Sequence, residues 1–354
     1  MKASARHRAP EPFQPHGLFL RTLTFVAVVL AIAACGRSGG HPLALEQHSA
    51  TPADTARHAA HRAGTHPPSS QQPATPRTSR TGKTRMLLGV FEYGAEVAYR
   101  RVEKFAATVG RQPDIVVSFG VWGAPFDTRF ASIAHAHGTT VLIQVEPTNA
   151  SLASIIAGKQ DKYLRSYAAE IQRFGHRVIL SFAPEPNGPW YPWGWTRSSP
   201  ASWRAAWRHV VTLFRKRKAN NVTWLWTVDR KFTGSGPLPA YWPGAAYVDW
   251  VGIDAYYVHR GDTFDKIFGP TLAEVRRFTT RPVLISETAA GQIAGRARAI
   301  PDLFAGSVRA DMLGLVWFDM NQHRNIYHQH WRLEGHPAAI AAFRRALASW
   351  KPRN

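Results

Sequence analysis

A single (β/α)8 barrel of the α/β class is what residues 85–354 of this chain predict, on three observations. Short apolar runs recur along the stretch and alternate with longer amphipathic segments. The runs are continuous rather than alternating, which is the pattern of strands covered on both faces and hence of a parallel sheet. Polar residues gather at the C-terminal ends of these runs, where barrels of this kind assemble their sites.

The elements follow in order. Strands are expected at 87–90, 115–119, 140–145, 178–182, 222–227, 250–254, 282–286 and 313–318. Helices are expected at 96–109, 127–137, 162–174, 200–218, 263–278, 301–309 and 337–350, with Pro200 and Pro337 in first turns. Trp224 and Trp226 share one strand, and the reading places one toward the barrel and one toward the helices. A doubly wound open sheet is the rival architecture. It usually carries a Gly-rich phosphate loop after its first strand, and here Phe91-Glu92-Tyr93-Gly94 stands there instead.

The first 84 residues have a different texture. Lys2, Arg6, Arg8 and Arg21 precede the apolar segment 23–34, and the only cysteine of the chain, Cys35, follows. The segment is short for a bilayer and reads as the core of a signal peptide, residues 1–35. Ile32-Ala33-Ala34-Cys35-Gly36 resembles the bacterial lipobox, in which the cysteine is lipidated and becomes the mature N-terminus. Cleavage after Ala34 and an uncut anchor are the alternatives. Residues 36–84, rich in Pro, Thr, Ala and His without hydrophobic periodicity, are expected to be a disordered linker. The expected product is therefore exported, as a lipoprotein on the extracellular face of the membrane or in secreted form. Its domain is expected at 85–354.

With one cysteine, no intrachain disulfide can form. The formal charge is +21, of which ten Lys/Arg against three Asp/Glu before residue 85 account for +7. A solvated basic surface is the first reading, and attraction to an acidic polymer the second. The one compact cationic run, Arg215-Lys216-Arg217-Lys218, closes an amphipathic helix. With neither a phosphate loop nor a metal-ligand cluster, nucleic acid is not an expected partner.

The run from Phe182 to Trp195, Phe-Ala-Pro-Glu-Pro-Asn-Gly-Pro-Trp-Tyr-Pro-Trp-Gly-Trp, carries the chemistry. It places Glu185 at the end of an apolar strand among aromatic rings, where poor hydration favours the protonated acid. Glu287 ends Pro282-Val283-Leu284-Ile285-Ser286 in a similar setting. Two such carboxylates suit acid/base cleavage of a glycosidic bond. Glu185 is then the proton donor and Glu287 the ionised nucleophile, held charged by a hydroxyl of Tyr256 or Tyr257. A carboxyl separation of about 5–5.5 Å would mean retention of anomeric configuration. Trp317 is a candidate floor for the sugar at the cleavage point. Trp122, Trp190, Tyr191, Trp193 and Trp195 are candidate walls of outer subsites, with Glu146 and Asp254 as polar contacts. For Glu146, Asp229 and Asp319 a structural ion pair or cap is the competing reading.

Glu185-Pro186-Asn187-Gly188-Pro189-Trp190-Tyr191-Pro192-Trp193 resembles the acid/base motif of glycoside hydrolase family 26, the β-mannanase family of clan A. Leu284-Ile285-Ser286-Glu287-Thr288 is similar to its nucleophile strand. Residues 248–257, ending in Asp254-Ala255-Tyr256-Tyr257, are similar to its sixth-strand segment, in which a Tyr touches the nucleophile. Val316-Trp317-Phe318 and Gln144-Val145-Glu146-Pro147 resemble its eighth and third strands. The resemblance implies a retaining hydrolase of β-linked polysaccharide that needs no metal or organic cofactor. It acts by default on β-1,4-mannan or glucomannan, with mixed-linkage β-glucan and β-1,3-xylan as relatives' substrates. A monomer is expected.

One departure stands out. Many family members have His, and clan relatives Asn, before the acid/base Glu. Here it is Pro184, which offers no side-chain donor to the sugar 2-hydroxyl. Either Asn187 supplies that bond or the preferred sugar differs. The other functions in play are trimming of the producer's own exopolysaccharide and non-hydrolytic glycan binding at the cell surface.

Overall fold

The computed structural model describes residues 85–291, 295–321 and 329–351; the expected signal peptide, Cys35 and the linker lie outside the described residues. Eight parallel strands close into a barrel in chain order. They are β1 Leu87–Phe91, β2 Ile115–Val121, β3 Thr140–Glu146, β4 Val178–Phe182, β5 Val222–Asp229, β6 Trp250–Asp254, β7 Val283–Thr288 and β8 Gly314–Phe318. β1 pairs with β8 from Leu87 opposite Gly314 to Phe91 opposite Phe318, which an open sheet would not do. Closure leaves no edge unpaired among these eight described strands.

Around the barrel run α1 Arg100–Val109, α2 Thr128–Ala136, α3 Leu152–Ile156, α4 Asp161–Phe174, α5 Pro200–Lys216, α6 Phe264–Ile267, α7 Gly269–Val275, α8 Arg296–Arg309 and α9 Pro337–Ser349. Their starts follow local chemistry. Asp127 accepts from the Phe130 amide at 2.8 Å and caps α2. Ser199 caps α5 through the Ser202 amide, and Pro200 follows in the first turn. Three elements differ from the sequence reading. The segment expected as one helix at 263–278 breaks into α6 and α7 at Gly269-Pro270, since Pro270 has no amide proton to continue the ladder. α8 begins at Arg296, so Pro301 sits inside the helix. The short α3 has no long apolar period to reveal it.

Strand alternation sorts the side chains. Toward the interior, Ser181 Oγ donates to Thr227 Oγ1 at 2.8 Å. In the same layer a Cβ on Gly252 would lie 2.5 Å from Ser286 Oγ, so only glycine fits there. Nearer the mouth, Phe91 stacks on Phe318 at 4.4 Å and meets Phe119 edge-on at 5.2 Å. Toward the helices, Trp224 packs on Trp207 and Phe214 of α5, and Trp226 on Trp242 and Phe278. Trp224 and Trp226 therefore share the outer face, contrary to the expectation of opposite faces. Residues two apart on a strand point the same way.

Candidate active site

The chain leaves β4 through Ala183-Pro184-Glu185. The Ala183 amide donates to Val145 of β3 at 2.9 Å and the Glu185 amide to Thr227 of β5 at 3.0 Å, so the exit is stitched to both neighbours. Ala183 and Glu185 have φ of 45° and 52°, a left-handed conformation rare for residues with a side chain. The loop then doubles back. A Cβ on Gly188 would lie 2.3 Å from the Trp190 ring, so its absence lets the indole fold across the loop. Trp190 Nε1 donates to Glu185 Oε2 at 2.8 Å.

Glu287 reaches the same place by an irregularity in β7. Ile285 pairs with Ile253, but Glu287 rather than Ser286 pairs with Asp254. Such a register shift re-aims side chains. Here it turns two successive residues inward. Ser286 Oγ donates to Asp254 Oδ1 at 2.5 Å. The Glu287 carboxylate accepts from Gln144 Nε2 on one oxygen and from the Tyr256 hydroxyl on the other, each at 2.6 Å. Asp254 also hydrogen-bonds the Glu185 carboxyl. Two carboxyl groups can bond only if one keeps its proton.

The site is nearly dry, with Glu185 1% and Glu287 0% exposed. Burial pushes Glu287 up to about 7, against the Tyr256 and Gln144 hydrogen bonds, which favour its charge. Glu185 lies well above the ordinary carboxylate range. Burial is the main cause, followed by the charges of Asp229, Asp254 and Glu287. Glu287 thus ionises first and Glu185 holds its proton longer. Burial also lifts Asp229 to about 8 and Glu146 to about 7, the latter opposed by the Tyr191 hydroxyl.

Several expected site residues sit elsewhere. The Tyr257 hydroxyl donates to Asp302 of α8 at 3.0 Å, so Tyr256 alone of the two serves Glu287. They are adjacent on the chain, and alternation sends them to opposite sides. Trp317 is not a floor: it is fully buried, meets Phe343 of α9 edge-on, and donates to the Trp331 carbonyl at 3.2 Å. Its neighbour Phe318 takes the inward face, against Tyr256 at 5.8 Å. Trp122 packs between Tyr163 and Phe182 on the helix side, with its N–H on Gln160. Trp193 is buried, stacked on Tyr191 at 4.3 Å, and donates to the Pro184 carbonyl. Asn187 donates to the Asp229 carbonyl and accepts from its amide, at 2.8 and 3.0 Å. These two bonds tie the loop after β4 to β5, and Asn187 is fully buried. Asp254 faces Glu185 and Ser286 rather than an open cleft. Of the aromatic walls, half-buried Trp190 and 38%-exposed Trp195 keep accessible faces. Tyr191 donates to Glu146 at 3.0 Å beside the carboxylates.

Sequence reading missed Gln144 and Ser286 as partners of the carboxylates. Gln144 lies two residues before Glu146 on β3, hence on the same face, and that spacing was the available signal. Asp319 belongs to a structural cluster. It accepts from the Leu333 amide at 2.7 Å and hydrogen-bonds Glu92, which also receives Arg332 at 3.1 Å. Burial and Asp319 together push Glu92 up to about 9.

An eight-stranded parallel barrel with an ionisable carboxylate and a proton-holding acid converging at its mouth defines a (β/α)8 protein with an acid/base site. Residues 144–289 match the family model "Glycosyl hydrolase family 26". Endoglucanase H of Acetivibrio thermocellus is 29% identical over 274 residues, which are 72% of this chain and 30% of that protein. A mannan endo-1,4-beta-mannosidase A and B of Caldalkalibacillus mannanilyticus is 32% identical over 95 residues, 25% of this chain and 18% of that protein. The chain thus spans less than a third of the length of either. The catalytic domain of the endo-beta-1,4-mannanase from Bacillus sp. JAMB-750 has the same fold, with a TM-score of 0.56 at 14% identity, over 76% of this chain and 87% of that one.

Proposed function

We propose that this chain is an endo-acting, retaining hydrolase of β-linked polysaccharide, with Glu287 as nucleophile and Glu185 as acid/base. The observation that carries the reading is the contrast between the two carboxyls. Glu287 is held by two donors that favour its charge, while Glu185 shares a hydrogen bond with a second carboxyl in dry surroundings. In the first step a Glu287 oxygen bonds to the anomeric carbon, and the glycosidic C–O bond breaks. Its oxygen takes the proton from Glu185. In the second step Glu185, now a carboxylate, takes a proton from water as that water attacks the anomeric carbon, and the ester to Glu287 breaks. The Tyr256 hydroxyl donates to Glu287 throughout and steadies the carboxylate as it re-forms.

The preferred polymer is β-1,4-mannan or glucomannan, by likeness to the mannosidase named above. Mixed-linkage β-glucan and an exopolysaccharide are the alternatives that the endoglucanase likeness and the basic surface keep in view. Pro184 offers no side-chain donor at the position before Glu185, which argues for modest discrimination at the sugar 2-hydroxyl. Incubation with glucomannan, β-glucan and β-1,3-xylan should release reducing ends with an early fall in viscosity. Proton NMR should show the β-anomer as first product. An α-anomer first product overturns the double displacement, and binding without release makes the protein a glycan receptor.

We further propose that the chain is exported and anchored through lipid on Cys35, with residues 36–84 as tether. The support is the lipobox-like segment alone. Mass spectrometry of the mature N-terminus in a bacterial membrane fraction should find a diacylglyceryl-modified Cys35. An unmodified N-terminus would end the anchoring proposal and leave secretion.

A further inference from the structure

Three indole N–H groups fall on three consecutive residues at the exit of β4. Trp203 Nε1 donates to the Ala183 carbonyl at 3.1 Å, Trp193 Nε1 to the Pro184 carbonyl at 2.7 Å, and Trp190 Nε1 to the Glu185 carboxylate at 2.8 Å. The three rings come from different places. Trp190 and Trp193 lie on the loop after β4, whereas Trp203 lies in α5 and is fully buried against Trp207 and Tyr241. The segment they hold alternates between left-handed Ala183, φ-locked Pro184 and left-handed Glu185. A backbone in that conformation persists only where its surroundings over-determine it.

We propose that Trp193 and Trp203 are positioning residues for Glu185: by holding the carbonyls of Pro184 and Ala183 they keep the left-handed turn that aims the acid at the leaving oxygen. The physical reason lies in the peptide planes. Each carbonyl fixes the plane that also carries the next residue's nitrogen. The Ala183 carbonyl therefore sets the orientation of Pro184, and the Pro184 carbonyl sets that of Glu185. Both carbonyls lie at buried residues, where a lost partner is not replaced by water. Without the indoles, Ala183 and Glu185 can relax toward ordinary φ values, which would swing the carboxyl away from its place beside Asp254. Neither tryptophan touches the reacting atoms in this arrangement. Pro184 has a part in it too: it removes one torsional freedom at the position where a donor side chain is missing. The proposal rests on Glu185 being the acid.

The test uses Trp193→Phe and Trp203→Phe in the full chain, which remove the N–H and keep an aromatic ring. Two substrates are compared. One is an oligosaccharide whose leaving group needs a proton; the other is a dinitrophenyl glycoside, whose leaving group does not. We expect kcat on the first to fall by roughly 10- to 100-fold, the scale of a misplaced catalytic group. KM and the first turnover on the dinitrophenyl substrate should stay within about twofold. Equal losses on both substrates, or no loss, overturn the proposal, since a merely structural role does not distinguish leaving groups. Adding Ala183→Gly, which accepts the positive φ without a side chain, should shrink the loss caused by Trp203→Phe; additive effects count against the proposal. If Trp203→Phe does not fold, Trp193→Phe alone decides, because its ring lies on the loop. Glu185→Ala run in parallel separates the two layers. If it shows no leaving-group dependence, the assignment of Glu185 fails. If it does and the tryptophan variants do not, only the positioning role fails.

Discussion

Glu287→Ala should abolish turnover on every substrate, whatever the leaving group, with kcat down on the order of 10⁵-fold or more, the scale reached when a covalent nucleophile is removed. The reasoning starts from its hydrogen bonds. Gln144 and Tyr256 converge on the two Glu287 oxygens from β3 and from the end of β6, and they can satisfy nothing else of comparable charge there. A methyl group in that place leaves the anomeric carbon with no partner, and Glu185 cannot substitute, because it carries the proton the leaving group needs. Azide should restore part of the activity on a dinitrophenyl glycoside and yield the inverted α-glycosyl azide. Steady turnover of polymer above about 1% of wild type would show that the attacking group lies elsewhere.

The second large effect belongs to Glu185→Ala. Hydrolysis of polymer should drop by about 10²–10⁴-fold, the contribution of general acid catalysis. The first step on a dinitrophenyl glycoside should persist, with the second step slowed and the glycosyl-enzyme accumulating as a burst. The pH profile gives an independent check, and its sign follows from the two carboxyls. In the proposed mechanism Glu287 acts as carboxylate, so activity should rise as pH climbs through about 7. Glu185 acts first as an acid and lies higher, so activity should fall again as it loses its proton. In Glu185→Ala, tested with the activated substrate, the alkaline fall should vanish and the acid limb remain. If the alkaline limb survives, another group supplies the proton, and Asp254, bonded to Glu185, is the first to examine.

Much of this protein was legible before any coordinates. Each buried strand announced itself as a continuous apolar run, and the eight runs in order fitted a closed barrel better than its open-sheet rival. Glu185 and Glu287 stood out as a pair of strand-end carboxylates in similar apolar settings, the first of them among aromatic rings. Tyr256 was one of two candidates, and strand alternation, once the register was known, separated it from Tyr257. The aromatic walls were the weak part. Trp122 and Trp317 read as platforms because they fall at strand ends, and Trp193 because it lies in the loop after Glu185. Sequence proximity does not say which face of a strand or loop a ring takes, and these three turn toward the helices or into the loop's own core. The register shift in β7 was invisible for the same reason: one inserted residue changes which side chains point inward without changing the apolar pattern.

The sequence by itself determined the barrel and singled out the two carboxyls proposed as acid and nucleophile, because hydrophobic periodicity and residue type are local properties of a chain. What only the tertiary structure decided is how those acids differ. Gln144 and Tyr256 come to Glu287 from positions 143 and 31 residues away, and Trp203, 18 residues beyond Glu185 and outside its loop, reaches back to that residue's own turn. Desolvation and hydrogen bonding act through space over a few ångströms, so the contrast on which the proposed nucleophile and acid rest exists only once the strands stand side by side.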